Sequence, residues 1–154
     1  MRLGMSFCEA LSGSFWWLDA PTDERAIAVS FEARAPALRE FLRDKTWCVA
    51  GTIDAERFAT ARAIVGTVSS RLIEERRLLY RFTFSGDDGR RYELSGQKEW
   101  SGLAPVESLA LLPAGIYDDR GEELARATLR FDVGADWWKC IRSFRFRLAV
   151  ASRA

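Results

Sequence analysis

Glu9 is the residue in this chain best suited to chemistry. From Met5 to Trp17 the odd positions Met5, Phe7, Glu9, Leu11, Gly13, Phe15 and Trp17 trace one face of a strand, and Glu9 alone among them is charged. An unpaired carboxylate on a packed face is costly. Burial favours the neutral form of a carboxyl group, which suits such a residue to act as an acid, a base or a ligand's hydrogen-bond acceptor. Tyr80 and Tyr92 lie on the apolar faces of two later strands. With Phe7 and Trp17 they supply an apolar wall carrying a few placed polar groups, the make-up of a small-molecule pocket. The expected ligand-binding set is therefore Phe7, Glu9, Trp17, Tyr80 and Tyr92, with Glu9 meeting a hydroxyl. Two blander outcomes stand beside it: a bulge that turns Glu9 outward, or an internal pair with an Arg or Lys.

Histidine is absent from all 154 residues. Its absence removes Ser-His-Asp and Cys-His nucleophile systems, the His-containing zinc sites and the usual near-neutral proton shuttle. The balance moves away from an enzyme, and no catalytic residue, cofactor or metal site is assigned. The remaining enzymatic route is an acid–base pair of Glu9 with Tyr80 or Tyr92, which requires those groups to come within hydrogen-bond reach.

Other constellations have simpler explanations. Asp87-Asp88-Gly89 and Asp118-Asp119-Arg120-Gly121 lack the ligand spacing of a calcium loop and read as tight turns. Trp16 and Trp17 are adjacent in a strand, so they face opposite sides. Trp16 is the candidate for a partner surface, together with the Leu103 to Leu112 segment, which reads equally as a helical turn or a buried strand. Arg126, Arg130, Arg145 and Arg147 fall on polar strand faces and read as a solvated exterior. Cys8, Cys48 and Cys140 are odd in number and widely spaced, which suggests reduced, buried thiols and a cytoplasmic setting.

These residues need strands to position them. Leu78, Tyr80, Phe82 and Phe84 alternate with polar residues, then Tyr92 and Leu94 do so after the Gly86–Gly89 turn, a strong hairpin signal. Further alternating runs cover Met5–Leu18, Ile27–Ala33, Trp47–Ile53, Ala61–Val68, Ala125–Val133 and Phe144–Val150, with a turn at Ala20–Glu24. Pro36 opens a short helix whose Leu38, Phe41 and Leu42 make one apolar stripe. Asp136 caps a second helix carrying Trp137, Trp138 and Ile141. The fold class is mainly β: an antiparallel barrel-like sheet or sandwich of about 8–10 strands with two short helices. The barrel is favoured because closure hides strand edges, and pairing of the first and last strands could close it.

Hydrophobic residues at 48% and charged residues at 29% describe one globular domain spanning the chain. A net charge of +1 offers no bulk attraction for nucleic acid, and no apolar run has the length of a membrane span.

Three segments carry a family resemblance: Phe7-Cys8-Glu9 with Ser12-Gly13, FTFSGDDGRRYELSGQK at 82–98, and LPAGIYDDRGEELARATLRFD at 112–132. Together they resemble a small β-rich bacterial domain associated with cholesterol-oxidase-like, GMC-type flavin oxidoreductases. The resemblance implies an accessory, lipid-related role. The chain is not the oxidase itself, because it has no GxGxxG after a strand and no histidine. The leading expectation is a non-catalytic domain that binds a lipid- or sterol-like molecule or an oxidoreductase partner. The alternative is a structural or interaction module, homodimeric in one version.

Overall fold

The computed structural model describes residues 2–35, 37–71, 75, 77–99, 111–131 and 145–149. These form β1 (Arg2–Trp17), β2 (Ala20–Ala35), α1 (Leu38–Asp44), β3 (Thr46–Ala55), β4 (Ala59–Arg71), β5 (Arg77–Ser85), β6 (Arg91–Glu99), β7 (Leu111–Tyr117), β8 (Glu123–Phe131) and β9 (Arg145–Ala149). Each strand from β1 to β8 pairs antiparallel with the next, and β8 returns to β1, so the sheet is a closed eight-stranded barrel. Closure is thus made by β1 and β8, through Leu11–Trp17 and Ala125–Phe131. The last strand, β9, does pair with β1, but only along Arg2–Ser6, beyond the reach of β8.

The barrel has two unlike ends. Tight turns at 18–19, 56–58, 86–90 and 118–122 make the hairpin end. At the other, helix end α1 links β2 to β3.

Alternation places one face of every strand inside. Phe15, Leu11, Val29, Ile53, Ile64, Phe82, Leu94, Ile116 and Leu129 are all buried in one continuous core. Burying each such side chain contributes roughly 1.5–3 kcal/mol. Gly13, Gly51 and Gly66 also point inward, where an added Cβ would lie 1.9–2.0 Å from the carbonyl oxygen of Thr128, Ser30 or Arg81. There the backbones approach too closely for any side chain. Gly13 marks close approach and no bulge, since the register of β1 shifts between Phe15 and Trp17 instead.

Several expectations are corrected. Ala20–Glu24 is strand, because Trp17 already pairs with Ala20 and the turn is only Leu18-Asp19. Leu42 is 66% exposed: the two-turn helix docks through Phe41, whose ring lies 4.3 Å from that of Trp47. Cys8 and Cys48 are exposed, because their parity in β1 and β3 points them outward. Cys140, the Asp136 helix, most of Leu103–Leu112 and the side chains of the final strand lie outside the described residues.

Candidate functional site

Glu9 faces inward and is 7% exposed, and Lys98 on β6 is 5% exposed. The Lys98 ammonium donates to Glu9 Oε1 at 2.9 Å. The Tyr80 hydroxyl donates to the same carboxylate, 3.3 Å from Oε2 and 3.5 Å from Oε1. Lys98 Nζ also stands 5.1 Å from the Tyr80 ring centroid and 5.5 Å from that of Phe131, within cation–π range. Around the wall, β7 and β8 separate β6 from β1. The ion pair is therefore a crossbar through the lumen, and it runs along no ladder.

Around this crossbar the helix end carries a collar of inward-facing apolar residues. Phe7, Trp47, Leu78 and Phe131 pack against the core yet stay only partly buried. Phe7 meets Trp47 edge-on at 5.5 Å. The indole Nε1 of Trp47 is buried and makes no hydrogen bond among the described residues. Such an orphaned donor is uncommon, because a buried polar group left unpaired costs free energy.

The other expected site residues sit elsewhere. Trp17 and Tyr92 also point inward, but at the hairpin end. There Phe58 folds in from the β3–β4 turn and plugs the barrel, 4.8 Å from each of those two rings and 5.7 Å from Phe84. Tyr80 pairs with Gly96 and Tyr92 with Phe84, so the two tyrosines share a face without meeting. The structure therefore joins Phe7, Glu9 and Tyr80 and leaves Trp17 and Tyr92 apart from them. Only the Glu9–Tyr80 half of the acid–base pair converges. Trp16 is half-buried on the outer wall, opposite Arg126 of β8.

The acidic turns are occupied by their own backbone and neighbours. Asp87 accepts from the Thr60 backbone N–H, the Thr60 hydroxyl and Arg62, and these bonds hold its carboxyl below the usual range. Asp88 accepts from the Tyr92 hydroxyl and from Arg90 N–H, again lowering its pKa. Burial, then the bond to Asp88, pushes the Tyr92 phenol up to about 12. Asp118 Oδ1 accepts from the backbone of Arg120 and Glu122, and Gly89 and Gly121 supply the φ of +77° and +79°. Among the described residues no group of three His, Cys, Asp or Glu side chains is placed to hold a metal, and no helix is long and apolar enough to cross a membrane.

Lys98 on β6 and Trp47 on β3 are the site residues that sequence alternation did not single out. The signal for Lys98 was present: Tyr92, Leu94, Gly96 and Lys98 continue one period-two series. No such pattern could show that the Trp47 N–H lacks a partner.

The fold and site define a closed antiparallel barrel with a charged crossbar inside an apolar collar. Compared with family models, curated proteins and solved structures, the chain matches none.

Proposed function

We propose that this barrel is a non-catalytic domain that binds an apolar, lipid- or sterol-like alcohol at its helix end. The observation that carries this reading is the buried Glu9–Lys98–Tyr80 group inside a collar of partly exposed apolar side chains. Glu9 and Lys98 together sum to zero charge. A carboxylate head group would add a third, uncompensated charge in a low-dielectric site, which is expensive. A hydroxyl adds none, and it can donate to Glu9 while accepting from Lys98 or from the Trp47 indole N–H. Phe7, Trp47, Leu78 and Phe131 would then cover the apolar body. An accessory role beside a GMC-type oxidoreductase, which the family resemblance implies, fits a domain that holds such an alcohol.

The test is displacement of a neutral apolar fluorophore by a long-chain primary alcohol and by the fatty acid of equal length. The alcohol should win by about tenfold or more, a difference of ~1.4 kcal/mol. Glu9→Gln leaves Lys98 as a net positive charge and should move the preference toward the acid. The reading fails if neither compound displaces the probe, or if the ranking does not move in Glu9→Gln.

A second reading, self-association, is favoured by one observation. The outer wall of β1–β4 is built of small side chains, with Ala10, Ser30, Thr52 and Ala63 in one cross-strand row and Val65 60% exposed beside it.

A further inference from the structure

Among the described residues, β6 and β7 pair along only part of their length. The β5–β6 ladder runs to the pair Arg77–Glu99, and the β7–β8 ladder runs to Leu111–Arg130. Between them the β6–β7 ladder stops at Gly96 and Ala114. Gln97–Glu99 and Leu111–Pro113 thus continue toward the helix end without pairing to each other. Pro113 stands at the first missing step, and its nitrogen carries no hydrogen to donate. A concave groove of about 1270 Å³ lies on the outer wall and reaches Gln97 and Pro113. Lys98 is the inward residue in the middle of the unpaired β6 stretch. Behind the gap lies Leu112, fully buried, with its Cδ1 3.0 Å from where a Cβ on Gly96 would be.

We propose that the ligand reaches the Glu9–Lys98 crossbar sideways, through this gap, with Leu112 as the side chain that moves aside and Pro113 as the residue that keeps the ladder from closing. The inference rests on the binding reading above. Three observations converge on this place. The hairpin end is closed by Phe58 and its ring partners. The gap stands level with Lys98, the cation that the head group would meet. Opening the wall here breaks no bond of the β6–β7 ladder, which ends at Gly96 and Ala114. A leucine rotamer change is fast compared with any opening of a paired barrel wall.

Pro113→Val tests this, since it restores the N–H and lets the ladder continue. Alcohol association and dissociation, followed by stopped-flow with the displaced fluorophore, should both slow by about tenfold while Kd stays unchanged, the factor that ~1.4 kcal/mol of regained pairing gives. Hydrogen exchange on the unliganded protein reads the gap independently. Amides of Gln97–Glu99 that point toward β7 should exchange fast in the wild type and gain protection in Pro113→Val. The proposal is overturned if those amides are as protected as the paired ones of β4, or if protection rises and the rates do not change. A wild type that takes up no alcohol would instead sink the binding reading, and the entry route with it, whatever the exchange shows.

Discussion

Removing Glu9 alone leaves the Lys98 ammonium inside the barrel with the faces of Tyr80 and Phe131 and no countercharge. Breaking a buried pair in this way costs about 3–5 kcal/mol, whereas replacing both partners by apolar groups of similar volume is often neutral or stabilising. Glu9→Ala should therefore lower the urea midpoint sharply, and Glu9→Leu combined with Lys98→Met should restore or exceed the wild-type midpoint. Equal midpoints for Glu9→Ala and wild type would mean that the crossbar is not buried as described. At this scale the carboxylate was legible, because a lone charge interrupts the odd-numbered apolar series of β1. Its partner was harder to see. Gly96 breaks the apolar series of β6 just before Lys98, so a lysine at an inward position reads as the solvated end of a strand.

The β5–β6 hairpin shows what alternation and turn chemistry can establish for a whole element. Leu78 to Leu94 has the inward and outward residues that its period of two requires, and Gly89 takes the left-handed φ that its turn demands. What the pattern cannot reveal is that the turn's carboxylates are spent on the fold: Asp87 ties β5–β6 to Thr60 and Arg62 of β4, and Asp88 holds the Tyr92 hydroxyl. The first is a long-range pairing of the turn with a strand more than 20 residues earlier, and the second, four residues apart, depends on how the turn folds. The Ala20–Glu24 segment misleads for the opposite reason. Pro and acidic residues there mimic a turn, yet they occupy the exposed start of a strand, where proline's missing donor is tolerated. The hairpin's ion and phenol chemistry predicts a pH response. The folded-state pKa of Tyr92 is raised above its usual value near 10 to about 12, so its contribution is fully present below pH ~10 and is lost as pH rises toward about 12. Asp88 is lowered, so its contribution is present above the ordinary carboxylate pKa and is lost as pH falls through the lowered value. Tyrosinate absorbance should include a contribution from Tyr92 that ionises late, near pH 12. Tyr92→Phe should take one tyrosine's amplitude out of the late phase and flatten the alkaline loss of stability, and a late amplitude unchanged by the substitution would rule out the assignment.

For the whole molecule, parity sorts residues into inside and outside, but ring closure depends on which distant strand meets β1, and no local pattern encodes that choice. The ring closes through β8, with inward Gly13 lying against the backbone of Thr128 at the closing seam, and β9 only extends the wall. Closure pairs most strand edges, so contact between molecules falls chiefly to the faces; among the described residues, edges stay open at the β6–β7 seam and along β9. The two halves of the outer wall differ in a way that selects one. β5–β8 carry Arg81, Arg91, Glu93, Arg126 and Arg130, long charged side chains that hold a neighbour away. On β1–β4 the central outward positions are Ala10, Ser12, Ala28, Ser30, Ala50, Thr52 and Ala63, with Val65 exposed among them. Side chains this short let another sheet approach to the roughly 10 Å of face-to-face packing, over a face that carries a hollow of about 230 Å³ between Ala10, Ser12, Ala28, Ser30 and Thr52. A second copy suits it, since a net charge of +1 creates little repulsion between identical molecules. Sedimentation velocity should then show a dimer that grows with concentration, and Val65→Arg, which places a charge at the β4 border of the face, should shift it to monomer with the far-UV spectrum unchanged. A wild type that sediments as a monomer at every concentration, or a dimer indifferent to Val65→Arg, would show that this face is not where two copies meet.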